Sequence, residues 1–172
     1  YVDSGANLAL SRAIVTANSA GSGGGLYNFG TLTATDTTFS NNAALDWGGG
    51  LYNDRRVMAL ERVTISGNTA GRDGAGIYNT GAGAALSLIN ATVSGNIATE
   101  DGGGIYTNRS MTITSSTIAL NTSVAGADGI HVLGGGGATL KNTILYNPAG
   151  TNSNAVLNSV GNNLDSDGTA GL

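Results

Sequence analysis

The chain has no cysteine, a single proline and a single lysine, and charged residues make up only 10% of it, against about 25% in an ordinary soluble domain. The absence of cysteine excludes a disulfide framework, thiol catalysis and cysteine-ligated zinc. Seven basic against eleven acidic residues give a net charge of −4, which leaves no basic surface for nucleic acid. No apolar run approaches the roughly 18 residues that span a bilayer. We therefore expect no nucleic-acid partner and no membrane insertion.

Glycine, by contrast, accounts for 29 of the 172 residues and is concentrated in a repeated signature. A glycine run is followed by leucine or isoleucine and then by tyrosine, or by histidine in the last copy, and these aromatic residues are separated by 25, 26, 28 and 25 residues. A second signature, Thr-Val/Ile-Ser-Gly-Asn and its variants, stays in phase with the first. Self-similarity at such a period indicates a solenoid. The glycine-rich signature lies at 23–28, 48–53, 74–79, 102–107 and 128–132.

Alternation of apolar and polar residues within each repeat, as in Leu86-Ser87-Leu88, predicts short β-strands rather than helices. A few short strands cannot bury a face alone, but stacked repeats pair every strand in parallel. The sequence therefore predicts an all-β, single-stranded parallel β-helix, or solenoid, of about six coils of roughly 26 residues with three short strands per coil. In this prediction residues 1–147 form the coils, and residues 148–172 form a terminal partial coil, cap or joining segment of the same domain.

The recurrent asparagines are predicted to form a structural column along the rod. Asparagine tolerates left-handed backbone at a tight corner, and its amide both donates and accepts, so that stacked amides can hydrogen-bond from coil to coil. The apolar residue three positions before each asparagine is expected to point into the core. The predicted ladder comprises Asn18, Asn42, Asn68, Asn96, Asn121 and Asn147. The corresponding core residues are Val15, Phe39, Ile65, Val93, Ile118 and Ile144.

The tyrosines of the glycine-rich signature are predicted to form a surface strip. Strand alternation that turns leucine or isoleucine inward would turn the preceding glycine and the following tyrosine outward. A row of rings beside a row of missing side chains would let a sugar ring or another protein dock against aromatic faces. The alternative is that the rings stack on one another and cover the glycine backbone. The strip comprises Gly25, Gly50, Gly76 and Gly104 with Tyr27, Tyr52, Tyr78 and Tyr106.

The remaining polar residues give no catalytic or cofactor signature. Asp73 and Asp101 precede glycines in neighbouring repeats and are weak candidates for calcium ligands, although we favour solvated carboxylates, which repel one another only weakly in water. The single histidine, His131, provides no Ser–His–Asp set, and the glycine runs lack the Gly-Lys-Ser/Thr ending of a phosphate-binding loop. We expect no metal, no cofactor and no enzymatic activity.

The in-phase succession of Gly-Gly-Gly-Leu/Ile-Tyr-Asn, a Leu/Met-x-Leu/Ile strand and Thr-Val/Ile-Ser-Gly-Asn resembles the right-handed parallel β-helix repeats of bacterial surface proteins. It is most similar to polymorphic outer-membrane protein repeats and to secreted adhesin-like proteins. The resemblance covers about residues 8–147. It implies a right-handed coil, export to the cell surface or the extracellular space, and no catalytic activity.

The expected function is therefore that of a non-enzymatic extracellular protein with a structural or adhesive role at a bacterial surface. Its ligand would be a glycan or a molecule of a host or cell surface. Open ends of a β-helix expose unpaired strands, so copies of the chain are expected to associate end to end, in the sharpest form as a filament. The alternative function is that of a carbohydrate-binding or polysaccharide-cleaving β-helix.

Overall fold

The computed structural model describes residues 1–172 and confirms an all-β parallel solenoid without any helix. It has about five turns of roughly 26 residues, one fewer than the predicted coils, because the six predicted asparagines bound only five intervals. The strands follow one another as β1 (Asn7–Ser11), β2 (Ile14–Thr16), β3 (Ser19–Ala20); β4 (Leu26–Asn28), β5 (Thr31–Thr35), β6 (Thr38–Ser40), β7 (Ala43–Ala44); β8 (Leu51–Asp54), β9 (Val57–Glu61), β10 (Thr64–Ser66), β11 (Thr69–Ala70); β12 (Ile77–Thr80), β13 (Ala85–Ile89), β14 (Thr92–Ser94), β15 (Ile97–Ala98); β16 (Ile105–Thr107), β17 (Ser110–Thr114), β18 (Thr117–Ala119), β19 (Thr122–Ser123); β20 (Ile130–Val132), β21 (Gly137–Lys141), β22 (Ile144–Tyr146); β23 (Asn158–Ser159) and β24 (Leu164–Asp165).

Strands at equivalent positions of successive turns pair in parallel, which gives two sheets of seven strands and two of five. A complete turn thus contains four strands rather than the three predicted. The additional strand is the two-residue segment after the ladder asparagine, such as Thr69–Ala70, and a strand this short shows no alternation in the sequence. Because equivalent residues pair in register, every apolar column of the sequence becomes a continuous column of the core.

The turn before the ladder asparagine differs from its prediction. The left-handed residue is the one that precedes the asparagine, not the asparagine itself. In the last copy this corner residue is missing, so Leu145 takes the place opposite Ile118. Leu145 is fully buried, while Ile144 is 43% exposed, and the predicted core position of Ile144 is wrong. The left-handed corner residues are Ala17, Asn41, Gly67, Gly95 and Leu120, with φ between 53° and 63°.

The two ends of the solenoid are finished differently. At the C-terminal end, residues 148–172 fold across the last turn, where β23 pairs with β21 and β24 with β22. Leu157 and Ala170 of this segment join the core, and the Leu157 N–H donates to the Ala170 carbonyl oxygen at 2.8 Å. At the N-terminal end, β1, β2 and β3 each pair with one strand only. Leu8, Leu10 and Val15 are therefore only partly buried. Helices long and apolar enough to cross a membrane are absent from the chain.

Candidate functional site

The predicted asparagines lie inside the solenoid and form a continuous ladder of amides. Each Nδ2 donates to Oδ1 of the asparagine in the next turn at 2.9–3.2 Å. The same Oδ1 accepts from the backbone N–H of the preceding asparagine at 2.8–3.1 Å. From Asn42 to Asn147 the side chains are at most 1% exposed, whereas Asn18 at the open end is exposed. A buried amide with all its groups paired is a structural element.

The ladder has a further rung that the sequence did not reveal. Asn147 Nδ2 donates to Asn152 Oδ1 at 2.9 Å, although the two residues are only five apart and the spacing of about 26 gives no signal there. Asn152 Nδ2 donates to Asp165 Oδ1 at 2.8 Å and to Asp167 Oδ1 at 3.1 Å. Burial alone raises the pKa of Asp167, but hydrogen bonds from Thr169 and Asn152 outweigh it and bring the pKa to about 2. Two carboxyl groups thus end the donor side of the ladder.

A second, shorter ladder follows the tyrosines. Asn28 Nδ2 donates to Asn53 Oδ1, and Asn53 Nδ2 to Asn79 Oδ1, both at 2.8 Å. Asn79 Nδ2 then donates to the Thr107 hydroxyl at 2.9 Å. At the other end, Asn28 Oδ1 is buried without a hydrogen-bond partner, because the position opposite Asn28 is occupied by Val2. The sequence showed these residues as part of the repeat, but not their role.

The tyrosines form one aromatic stack that extends to both ends of the repeat region. Ring centroids are 4.4 Å apart for Tyr27–Tyr52, 5.0 Å for Tyr52–Tyr78 and 4.7 Å for Tyr78–Tyr106. His131 continues the stack at 5.3 Å from Tyr106. The rings are stacked except at Tyr52–Tyr78, where they are tilted by 37°, so that each ring lies against the next one along the rod. The predicted docking of a sugar against aromatic faces therefore finds no free face inside the stack.

The hydroxyl groups of the stack are neutral donors at physiological pH. Burial raises the pKa of Tyr27, and the hydrogen bond that its hydroxyl donates to Asp54 Oδ2 at 3.0 Å raises it further. Burial and the neighbouring tyrosines likewise raise the pKa of Tyr78.

Trp47 lies beside Tyr78, with ring centroids 6.0 Å apart, and the Arg72 guanidinium lies 5.0 Å from the Trp47 ring centroid.

The glycines beside the stack do not point outward, and this part of the strip prediction is wrong. Gly50, Gly76 and Gly104 are buried. A Cβ at any of them, or at Gly25, would lie under 3.0 Å from the carbonyl oxygen of the equivalent glycine in the next turn. It would also meet the ladder amide, for example Asn68 Nδ2 at 3.0 Å from Gly50. Glycine is needed here because two turns and the asparagine ladder meet at this line.

The two weak calcium candidates lie in neighbouring turns but share a hydrogen bond instead of an open site. Asp73 Oδ1 accepts from the Asp101 backbone N–H at 3.1 Å, and Asp73 is 8% exposed. Burial raises the pKa of the Asp73 carboxyl group. Nowhere in the chain do three or more His, Cys, Asp or Glu side chains lie close enough together to hold a metal ion. Calcium binding by Asp73 and Asp101 stays a prediction from the sequence.

The largest surface cavity lies at a corner that the sequence analysis did not single out. It has a volume of about 510 Å³ and is formed by three successive turns. Its lining contains two adjacent arginines, an aromatic ring and a threonine hydroxyl. No sequence signal marks it, because its residues come from three segments about 26 positions apart. The lining residues are Phe29, Thr31, Arg55, Arg56, Val57, Ala82 and Gly83.

Three segments of the chain, residues 36–54, 62–80 and 90–108, match the Chlamydia polymorphic membrane protein repeat. Each segment spans a ladder asparagine, the glycine run and a tyrosine, so the matched unit contains the parts that stack along the rod. No curated protein and no solved structure matches the chain. The resemblance to polymorphic outer-membrane protein repeats is confirmed, and these repeats on a parallel solenoid fit a structural protein of a bacterial surface.

Proposed function

We propose that the chain is a non-enzymatic structural and adhesive β-helix exposed at a bacterial surface or secreted from it. The observation that carries the proposal is the unbroken stacking of the interior. A buried amide ladder runs from Asn42 to Asn152, and rings stack from Tyr27 to His131. Such columns fix each turn on its neighbours and suit a rigid spacer that holds a binding surface away from a cell. Repeats similar to those of a membrane protein family support the surface location.

The alternative function, cleavage of a polysaccharide, has little support in the arrangement of acidic groups. Glycoside hydrolases need two carboxyl groups facing each other across a substrate groove. Asp165 and Asp167 both accept hydrogen bonds from Asn152 at the end of the ladder, so they serve as acceptors for a buried amide. His131 Nδ1 lies 3.7 Å from Asp101 Oδ1, and the ring stacks on Tyr106 with centroids 5.3 Å apart. The one histidine thus has a place in the aromatic stack rather than in a catalytic set.

A glycan array combined with a reducing-end assay tests the proposal. The adhesive function predicts retention of at least one class of surface glycan and no release of reducing ends during prolonged incubation. Beads coated with the protein should attach to cells that carry that glycan. Turnover of any polysaccharide would contradict the non-enzymatic assignment. Failure of the coated beads to attach to any cell type or glycan would contradict the adhesive one.

We further propose that self-association, which the sequence predicted to be end to end, uses the N-terminal end. There β1, β2 and β3 have free edges, and Leu8, Leu10 and Val15 are only partly covered. A two-fold axis across the rod reverses strand direction, so the edge strands of two copies would pair antiparallel. At the C-terminal end, by contrast, residues 148–172 cover the edges of β21 and β22. This arrangement favours a dimer.

Sedimentation velocity over a range of concentrations tests the N-terminal contact. In a parallel ladder successive N–H groups point to opposite sides, and since the Arg12 N–H donates inward to the Thr35 carbonyl oxygen, the Ala9 N–H faces the free edge. Ala9→Pro should therefore leave the fold intact but abolish the dimer. Ala149→Pro, at the other end, should not affect it. Long unbranched fibres in the electron microscope would instead support the filament.

A further inference from the structure

Between Tyr27 and His131, all the variation in repeat length lies at one corner of the solenoid. The columns that begin with Asn28 and Leu32 continue in register through the turns, so that the residues between them can be compared. Three residues separate the two columns in the turn of Asn28, four after Asn53, six after Asn79 and three after Thr107. The repeat spacings of 25, 26, 28 and 25 follow the same order. We call the residues between these two columns the variable corner.

The other corners keep a constant length in the same turns. Four residues separate the column of Leu60, Leu88 and Ile113 from that of Ile65, Val93 and Ile118 in each turn. In repeat proteins, insertions confined to one corner place loops on one face, which is often the binding face. The constant corners carry the ladder and the core, and the variable corner is free to differ without disturbing either.

The cavity of about 510 Å³ lies at this variable corner, between the short segment at Phe29 and the longer segments at 54–57 and 80–85. Its volume falls within the range of about 300–1,000 Å³ that is usual for ligand sites. Its apolar lining residues are Phe29, Val57 and Ala82, and Thr31 adds a hydroxyl group. The site therefore combines apolar side chains with hydrogen-bonding groups.

The charge of the cavity is opposite to that of the chain. Arg55 stands over the Phe29 ring, 5.6 Å from its centroid, and its Nε lies 3.3 Å from Asp54 Oδ1. Arg56 makes no ion pair and no side-chain hydrogen bond. One arginine of the cavity thus lies beside a carboxylate and an aromatic ring, and the other has an unpaired guanidinium. A guanidinium of this kind binds a carboxylate or sulfate through two parallel hydrogen bonds.

We propose that this cavity, the groove at the variable corner, binds an acidic saccharide. Arg56 would bind the carboxylate or sulfate of the ligand, and Phe29 would contact the apolar face of the sugar ring. A peptide is less suited to this place, because the strands that flank the corner leave no free edge for an added strand. β8 and β12 before the corner and β5, β9 and β13 after it each pair on both sides, and the outer side of β4 is bridged by Val2. The inference rests on the proposed adhesive function and names the class of its ligand.

Binding of defined oligosaccharides by isothermal titration in physiological salt tests the inference. The probes are an oligogalacturonate for the carboxylate, a heparin oligosaccharide for the sulfate, and cellohexaose as the neutral reference. One acidic probe should bind at least tenfold more tightly than cellohexaose. Arg56→Gln should weaken that binding at least tenfold, and Ala82→Trp should abolish it by filling the groove. Arg12→Gln, which removes the same charge at another corner, should leave it unchanged.

Three outcomes would overturn the inference. Equal loss of binding in Arg56→Gln and Arg12→Gln would indicate attraction by net charge alone. Equal affinity for the neutral and acidic probes would remove the role of Arg56. Stronger binding of a glutamate-rich peptide than of either acidic oligosaccharide would show that the ligand is a peptide and not a saccharide. Thermal unfolding of each variant reports whether its fold is intact. If beads coated with wild type and beads coated with Arg56→Gln attach to cells equally, the saccharide site at the groove is refuted while the adhesive function stands. If neither kind of bead attaches, the adhesive function itself is refuted.

Discussion

Removing one rung of the asparagine ladder should cost far more than removing its exposed end. Asn96 takes part in five side-chain contacts of the ladder. Its Oδ1 accepts from the backbone N–H and from Nδ2 of Asn68, at 3.0 and 2.9 Å. Its Nδ2 donates to the Ile65 carbonyl oxygen at 3.0 Å and to Asn121 Oδ1 at 2.9 Å. The Asn96 backbone N–H also donates to Asn121 Oδ1 at 3.1 Å and survives a change of side chain.

The substitution Asn96→Ala would therefore leave two buried groups without partners. These are the Asn68 N–H and one hydrogen of Asn68 Nδ2, whereas Asn121 Oδ1 keeps its backbone donor and the Ile65 carbonyl oxygen stays in the parallel ladder with β14. An unsatisfied buried polar group costs about 1–3 kcal/mol. Taking the lower part of that range for each of the two groups, because a water molecule can enter a polar cavity of this kind, we expect a loss of about 2–4 kcal/mol in the free energy of unfolding.

Urea denaturation followed by circular dichroism measures the loss, and amide hydrogen exchange locates it. The Asn68 N–H should exchange much faster in Asn96→Ala than in the wild type. The matched control is Asn18→Ala, because Asn18 is exposed and its Oδ1 accepts no hydrogen bond; it should cost less than about 1 kcal/mol. A loss in Asn96→Ala no larger than in the control would refute the ladder as a source of stability.

Three further substitutions test other parts of the interior. Gly104→Ala should destabilise the fold by about 3 kcal/mol or more, because its Cβ would lie 2.6 Å from the Gly129 carbonyl oxygen. The control Gly137→Ala, which has no atom near its Cβ, should leave the stability unchanged. Equal effects of the two substitutions in thermal unfolding would contradict this. Val2→Thr should stabilise by about 1 kcal/mol by donating to the unpaired Asn28 Oδ1, and a lower urea midpoint than wild type would count against it. Burial raises the pKa of the Asp73 carboxyl group. Between the pKa of the unfolded chain and the higher pKa of the folded state, only the folded state keeps the carboxyl proton. At higher pH the buried group is ionised, and this ionisation lowers the stability of the fold. Asp73→Asn should therefore raise the melting temperature at pH 7 but not below the ordinary carboxyl range, and a difference independent of pH would exclude this cause.

The parts of the fold that repeat in sequence were predictable, because the repeat itself carries the information. Alternation at Leu86 and Leu88 predicted buried residues, and both lie in the core. The period of about 26 residues predicted the parallel solenoid for the same reason. Leu145 was missed because the loss of one corner residue is invisible when spacing is counted from Asn147. Asn152 was missed because it joins the ladder from a segment without the repeat.

The errors around the tyrosines have a different origin. Strand alternation was assumed to continue through Gly25, but the chain turns at Gly23, which has a φ of 63°. The glycine therefore faces the asparagine ladder instead of the solvent. The groove at Arg56 forms where segments of different length meet at the variable corner. The sequence shows that the repeat spacings are 25, 26 and 28 residues. Only the register of the strands shows that the extra residues all lie at this corner.

The asparagine ladder has a direction, and this direction bears on how copies of the chain can meet. Along the ladder every Nδ2 donates one hydrogen to the amide on its C-terminal side, and Asp165 and Asp167 accept from the last one. The pKa of Asp167 is about 2, so that this end stays anionic at physiological pH. At the N-terminal end Asn18 offers an acceptor. A head-to-tail contact would place carboxylates against an amide oxygen, with no donor between them, and the ladder could not continue from one copy to the next. A filament would thus have to rely on strand edges that residues 148–172 cover, whereas a contact between two N-terminal ends requires no such displacement.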